Sequence, residues 1–426
     1  MKKKYLKPAP SPPAIRDAMA KASEREEKGL DVYDFSSGNI GRLIAGNKIF
    51  GNYTLSIEDI PEGFEQIAEA LKSGIEESFI SAPKGLAYSP TGGTEEQKKV
   101  AARYFNEIHN VPLDDQDMER VIITAGGQQA MAASLRSISP DAKVIAPRWD
   151  YAPVTGIAED APWDFVKLPA NDELGFSLDA LREEVEEGSV FYSSMPNNPT
   201  GYVSVEQLEG AARIMDENNG GIIWDAPYLF TMLKLEEGKA GFDSGFLESE
   251  VDRFSRLAKE YSHNMCILSS ISKTCLAAGL RFGFATAPEE WIQNMNGIIG
   301  RENLSSPTPS FIMGTKILKA FLDKGASVHE WASEVLAGRI NYLLEKGIPL
   351  LLPENGKFGA LYVLMKAESS GDSFAEELAE KGIISVPAEP FFGGPVNYVR
   401  LSLVSTPFAE GDKLWKGNVD ALAEKI

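Results

Sequence analysis

Lys273 stands in the stretch Ser270-Ile271-Ser272-Lys273-Thr274-Cys275, after the apolar run Cys266-Ile267-Leu268, and Arg281 follows eight positions later between Gly279 and Gly283. An ε-amine held among small residues at a strand end is desolvated, and a desolvated lysine attacks carbonyl carbon. The chemistry this serves is Schiff-base formation with an aldehyde such as that of pyridoxal phosphate. Ser270 and Arg281 would then hold the phosphate, the arginine through a planar fork that suits a dianion. The same letters also describe a strand end followed by a basic loop, so context must decide.

Other stretches supply that context. Val121-Ile122-Ile123-Thr124 runs into Ala125-Gly126-Gly127-Gln128. A strand, a glycine turn and a helix start present free N–H groups and a positive helix end to a phosphate. Neither GxGxxG nor GxxxxGK[ST] is present, and a tight strand-to-helix turn reads the same way. In Met195-Pro196-Asn197-Asn198-Pro199-Thr200-Gly201 two prolines and a glycine hold the amide of Asn198 in one place. Asp225 leaves the apolar strand Gly221-Ile222-Ile223-Trp224 and needs a partner; a protonated ring nitrogen would be one, a capping or turn role before Pro227 the other. Trp149 and Tyr151 follow the strand end at Pro147, where an aromatic stacks on a heteroaromatic ring or packs on a helix. Tyr88 lies on a turn-rich loop, where a phenol can reach a phosphate. Gly38, after the strand-like Asp31 to Phe35, lets backbone N–H groups approach a carboxylate, or simply turns the chain.

These groups need elements to position them. Short apolar strands alternate with helical stretches, and each polar constellation follows a strand. That is the pattern of an open, mostly parallel α/β sheet with its site beyond the carboxyl ends of the strands. Helices are expected from Ser11 to Lys28, from Thr94 to Ile108 with Thr94 as cap, and over the long stretch Ile312 to Leu344. Short strands at 350–352, 361–364, 383–386 and 398–403 imply a smaller α+β domain. The organisation reads as an arm and part of the small domain over 1–60, a large domain over 61–310 and a small domain over 311–426, with the amino-terminal segment packed on the last.

With 62 acidic against 42 basic residues the net charge of -20 repels nucleic acid and anionic membranes. Cys266 and Cys275 form no pair motif, so neither a disulfide framework nor a zinc site is expected, and a cytoplasmic setting fits. The basic start is followed by prolines at 8, 10, 12 and 13 rather than by an apolar signal, and no run approaches a membrane span. His109, His263 and His329 are scattered through polar surroundings, so metal ligation is not expected.

From about Ser11 to Ser405 these motifs, in this order, resemble the class I/II aminotransferase family, fold type I of the pyridoxal-phosphate enzymes. The resemblance implies a large domain with a mostly parallel, seven-stranded-type sheet and a smaller α+β domain. It implies Lys273 as the Schiff-base lysine, Asp225 as partner of the ring nitrogen, and Asn198 with Tyr228 as donors to the ring's phenolic oxygen. Gly127, Gln128, Ser270 and Arg281 would bind phosphate, with Tyr151 stacked on the ring. Tyr88 would reach the phosphate of the other subunit, making a homodimer with shared sites. Arg400, in Tyr398-Val399-Arg400-Leu401-Ser402, would grip the substrate's α-carboxylate beside Asn198 and the backbone of Gly38. Arg301, four residues before Ser305-Ser306-Pro307, is similar in spacing to the dicarboxylate-binding arginine of aspartate aminotransferases; an exposed arginine at a helix end reads the same way. The chain departs from the pattern at Asn197, at Ala226 where an acid is usual, and at Pro153. The function implied is amino transfer between an L-amino acid and a 2-oxo acid, with aspartate or glutamate as candidate donors. The rivals are a carbon–sulfur β-lyase on the same fold and a ligand-sensing regulator, which would want a DNA-binding domain that the short arm leaves no room for. An inactive scaffold would be marked by loss of Lys273, which is present.

Overall fold

Seven apolar runs pair into the central sheet: β1 Val121–Thr124, β2 Lys143–Pro147, β3 Asp164–Leu168, β4 Val190–Ser194, β5 Gly221–Asp225, β6 Met265–Ser270 and β7 Gly283–Thr286. The computed structural model describes residues 13–45, 47–48, 51–52, 61, 63–171, 174–324 and 328–426. The proline-rich arm lies outside them. The strand order is β1-β7-β6-β5-β4-β2-β3, all parallel except β7, which runs against both neighbours. A parallel sheet is covered on both faces, and here successive residues divide cleanly between the two covers. Ile122, Val144, Tyr192, Ile223, Cys266 and Leu268 face α2 (Gly127–Arg136, following α1 at Glu95–His109) and Glu289–Asn303. Ile123, Ile145, Phe191, Ile222, Trp224 and Ile267 face α1, α3 (Val205–Glu217) and α4 (Ser244–Tyr261).

Caps start several of these helices where the sequence indicates. Thr94 caps α1 in a reciprocal box with Gln97, and Ser204 and Asp243 cap α3 and α4. Further long helices are α5 (Glu289–Asn303), α6 (Thr308–Lys324) and α7 (Val328–Glu345), together with Ala14–Glu27, Phe64–Phe79 and Lys413–Lys425. The stretch expected as helical from Ile312 to Leu344 is described as two helices, one ending at Lys324 and the next beginning at Val328; residues 325–327 lie outside the described residues.

A second sheet runs β8 (Leu350–Leu351), β9 (Tyr362–Lys366), β10 (Val386–Pro387) and β11 (Tyr398–Ser402), ordered β8-β9-β11-β10 and antiparallel throughout. Tyr33–Asp34 pairs in parallel with Ile383–Ile384, which sets this two-residue strand against the carboxyl-terminal elements. The expected strand over 31–35 shrinks to two residues because its partner is equally short. A three-stranded antiparallel sheet of Met232–Glu236, Lys239–Gly241 and Lys357–Gly359 was not expected. Its tight turn places both Glu237 and Gly238 at positive φ, a hairpin geometry usually signalled by Asn-Gly or Asp-Gly.

The histidines divide between core packing and the surface. His109 is fully buried among the rings of Tyr104, Phe105 and Trp224, and His329 lies between Phe230 and Phe321. Burial pushes the pKa of His109 down to about 3, so it packs as a neutral ring. His263 alone of the three is on the surface, against Asp216. Cys266 and Cys275 are free and buried.

Arg339, 1% exposed on α7, ties the carboxyl-terminal segment down. It binds Asp412 through two hydrogen bonds of 2.8 and 2.6 Å and donates to the carbonyls of Leu403, Thr406 and Pro407. Arg339→Met strands the Asp412 carboxylate, and the expected loss of stability is ~3–5 kcal/mol, with Arg339→Met/Asp412→Asn, which removes the stranded charge and keeps a side chain that tolerates the φ of +65° at this position, recovering part of it. Chemical denaturation of the three proteins measures this; a single variant as stable as wild type would show the pair to be unimportant.

Candidate active site

Backbone register brings the polar ends of the strands level. Ser194 lies opposite Asp225, Asp225 opposite Leu268, and Ser270 opposite Gly283, which in turn faces Thr124. The chain leaves β6 through the single turn Ile271–Thr274, which carries Lys273. Its Nζ donates to the carbonyl oxygen of Gly38 at 2.8 Å and lies 5.8 Å from the centre of the Tyr228 ring. Burial holds the lysine below its usual pKa against an opposing pull from Tyr362, and Arg281 and Arg400 add to the lowering.

Asp225 is 8% exposed and accepts a 2.9 Å hydrogen bond from the hydroxyl of Tyr192. Burial raises its pKa to about 7 despite that bond. A second buried acid, Asp150, accepts from the backbone N–H of Tyr151 and from the N–H and hydroxyl of Ser194, and burial raises it to about 7 as well. Ser194 Oγ in turn accepts from the backbone N–H of Asn198 at 3.3 Å, so Asp150 anchors the asparagine loop from below. Gly201, at φ +72°, closes the loop where any Cβ would strike the Phe358 ring.

Asn198 holds two groups at long range: its Nδ2 points to Tyr228 Oη at 3.4 Å, and its Oδ1 accepts from Arg400 Nη1 at 3.5 Å. Arg400 is 2% exposed, with its guanidinium 3.8 Å from the centre of the Tyr362 ring and 4.6 Å from that of Phe391. Among the described residues its Nε and Nη2 meet no well-aligned hydrogen-bond partner, the Tyr362 hydroxyl being the polar group beside the guanidinium. Buried charged donors left empty are costly, and a carboxylate is the group that fits two adjacent N–H groups of a guanidinium. Tyr362 also fills the space over Gly38, where a Cβ would come within 1.8 Å of its hydroxyl. Burial works to raise the Tyr362 pKa, but Lys273 and Arg400 outweigh it and hold the phenol below its usual range.

At the other end of Lys273 lies a cradle for an anion. Gly126 takes φ +83° and Gly127 opens α2 with no side-chain cap, so the first N–H groups of the helix are left without internal acceptors. A Cβ on Gly126 would come within 2.5 Å of Arg281 Nη2, and one on Gly283 within 2.4 Å of the Gly126 carbonyl carbon. Ser270 Oγ is 3.9 Å from where a Cβ of Gly127 would be. Tyr151 donates from its hydroxyl to Gln128 Oε1 at 2.7 Å and feels the charges of Asp225, Arg400 and Arg281. Trp149, two residues away, instead packs on Phe392 and Tyr398.

Lys273, Asp225, Tyr228, Asn198, Arg400, Gly38, Tyr151, Gln128, Gly127, Ser270 and Arg281 thus converge. Tyr88 and Arg301 do not join them within one chain. Tyr88 is 84% exposed on a loop pinned by Ser89, Thr91 and Thr308 to residues 304–308, and Arg301 is exposed in the last turn of α5. Tyr192, Asp150, Tyr362 and Phe391 were not read as site residues. Tyr192 and Tyr362 look like apolar strand positions, and only the Trp-Asp-Tyr run hinted that Asp150 was unusual.

A family model described as Aminotransferase class I and II matches residues 53–410. Aspartate aminotransferase of Pyrococcus horikoshii is 25% identical over 361 residues, covering 80% of this chain and 83% of that protein. Histidinol-phosphate aminotransferase of a Thermoanaerobacter species is 23% identical over 343 residues, covering 78% and 83%. The solved structure of aspartate aminotransferase from Thermus thermophilus with maleate superposes with a TM-score of 0.77 at 22% identity, covering 99% of this chain and all of that one, which shows the same fold.

The raised pKa of Asp225 has a measurable consequence in the protein without ligand. A carboxyl raised from its usual value to about 7 binds more protons folded than unfolded, so its contribution to stability falls as pH rises from about 4 to about 7 and is flat above. Asp225→Asn should therefore raise the melting temperature at pH 8 by roughly 2–4 °C or more and leave it nearly unchanged at pH 4. A uniform shift at both pH values would mean that the carboxylate is not strained by burial.

Proposed function

The chain belongs to the class I and II aminotransferases and so moves an amino group between an amino acid and a 2-oxo acid; on that footing we propose that it does so with pyridoxal 5'-phosphate at Lys273, and with aspartate or glutamate as donor. What carries the reading is the Lys273 amine, set between an anion cradle and a buried guanidinium with two free donors. The residues fit the group. Gly127, Gln128, Ser270 and Arg281 would hold its phosphate, Asp225 its ring nitrogen, Asn198 and Tyr228 its phenolic oxygen, and Tyr151 its ring face.

Bound there, the cofactor would supply a sink for the electron pair left when the substrate's Cα–H bond breaks. Lys273, lowered in pKa by burial, carries a larger neutral fraction than an exposed lysine and can accept the Cα proton and return it. The Gly38 carbonyl fixes the resting direction of its amine. Asp225, charged beside a ring nitrogen, keeps a proton on that nitrogen. Arg400 takes the α-carboxylate on Nε and Nη2 while Asn198 holds Nη1, so the carboxylate cannot rotate about the guanidinium. Tyr362 and Phe391 cover the faces of Arg400 and keep water from competing for it.

A homodimer with shared sites is part of this reading. It is supported by the exposed side chains of Phe79, Ile80, Leu86, Tyr88 and Leu304, the last two on segments bonded to each other. Tyr88 would then reach a phosphate, and Arg301 a distal carboxylate, in the partner's site. Residues 61–310 and 311–426 would be the large and small domains, and two free buried thiols suit a cytoplasmic location.

Borohydride reduction followed by peptide mass spectrometry should find the cofactor on Lys273 and lose it in Lys273→Ala; an adduct on another lysine would overturn the site. Sedimentation should give a dimer. In Arg301→Ala, kcat/KM for aspartate and glutamate should fall roughly 30-fold or more while that for alanine holds, since truncating one partner of a buried charge pair costs about 2–5 kcal/mol. An unchanged preference order returns Arg301 to the surface.

A further inference from the structure

Tyr192 lies on β4, one strand from Asp225, with its ring in the core and no exposure. Side-chain alternation puts it on the same sheet face as Ser194 and, across the register, as Ile223 and Asp225. It is level with Ile223, so its hydroxyl reaches diagonally up the face by two residues to meet Asp225 Oδ2 at 2.9 Å. The phenol is held far from ionisation by burial and by the nearby acids, so it acts as a fixed donor. Among the described residues no cation pairs with Asp225; the other titratable groups that feel its charge are Asp150, Tyr151 and Cys266.

We propose that Tyr192 is the positioning residue of Asp225: its hydroxyl occupies one carboxylate oxygen and leaves the other for the cofactor's ring nitrogen. The proposal rests on the reading of Asp225 given above and adds the group that aims it. The bond does two things. It fixes the carboxylate plane, because a buried acceptor turns toward its one strong donor. It also favours the charged form, since a donor to a carboxylate stabilises the anion over the acid. Removing it should leave Asp225 less able to keep a proton on the ring nitrogen, although Tyr192 touches neither cofactor nor substrate.

The test is Tyr192→Phe, which removes one oxygen. In the ligand-free protein the carboxyl stretch of Asp225, assigned by difference infrared spectroscopy against Asp225→Asn, should titrate about one pKa unit higher than in wild type, a tenfold change in protonation ratio. In the cofactor-loaded protein the visible absorption of the bound cofactor should show a matching change in its pH dependence, and kcat should fall more than KM rises. Tyr192→His, which keeps a ring N–H donor, should restore part of both. If the Asp225 titration and the cofactor spectrum stay at wild-type positions while the melting temperature shifts evenly at all pH values, Tyr192 is a packing residue and the proposal fails. If wild type takes up no cofactor, the functional reading fails instead, and the ligand-free titration still decides the role of Tyr192. Should Tyr192→Phe not fold at pH 8, folding at pH 5, where Asp225 is protonated in either protein, is the outcome expected of a group that stabilises the anion. Failure at both pH values would overturn the proposal.

Discussion

The constraint on which the rest depends is that three ionisable groups, Asp225, Lys273 and Arg400, are buried within one small volume without ion pairs among the described residues. Each costs free energy where it stands, and burial moves each toward its neutral form. Such strain persists only where the surrounding structure over-determines it and where a ligand relieves it. On the proposed reading, a ligand that brings a ring nitrogen to Asp225, an aldehyde to Lys273 and a carboxylate to Arg400 would satisfy all three at once. The scaffold holds the groups apart so that they cannot satisfy one another.

Two structural layers do this holding. The parallel sheet sets Ser194, Asp225 and Ser270 by hydrogen-bond register, so their spacing is that of adjacent strands and cannot drift without breaking the ladder. The second sheet delivers Arg400 on β11 with Tyr362 on the neighbouring β9; Arg400 lies opposite Leu364, and Tyr362, two residues along on the same face, stacks on it diagonally. Glycines on three separate loops are pressed against side chains: Gly38 against Tyr362, Gly126 against Arg281 and Gly201 against Phe358. These contacts leave each glycine no room for a side chain, so the backbone at all three points is held by packing.

A second tier of polar residues supports the first. Ser306 donates to Gln129, which accepts from the N–H of Ala125 in the cradle turn, and the segment that carries Ser306 is bonded to the loop of Tyr88. The surface loop is thereby joined to the cradle through three side chains. Asp150 plays the same part beneath Asn198, through Ser194. These links explain how loops, rather than helices or strands, can carry several of the site's groups with definite geometry.

Much of this was determined by the sequence alone. The alternation of apolar strands with helical stretches specified a covered parallel sheet. The polar runs that follow those strands placed Lys273, Asp225, Asn198 and the Gly126–Gln128 turn at its carboxyl edge, because side-chain period and turn chemistry are local properties of the chain. Helix caps such as Thr94 were legible for the same reason. What only the tertiary structure decided was which residues meet across long sequence separations. Tyr192 finds Asp225 through strand register, Tyr362 finds Arg400 through an antiparallel pair, and Trp149 turns to Phe392 while Tyr151 turns to the site. His109 and His329, polar by neighbourhood in sequence, became ring-packed core. In each case the residue's own segment is compatible with several partners, and the choice is made by the packing of elements that local sequence does not encode.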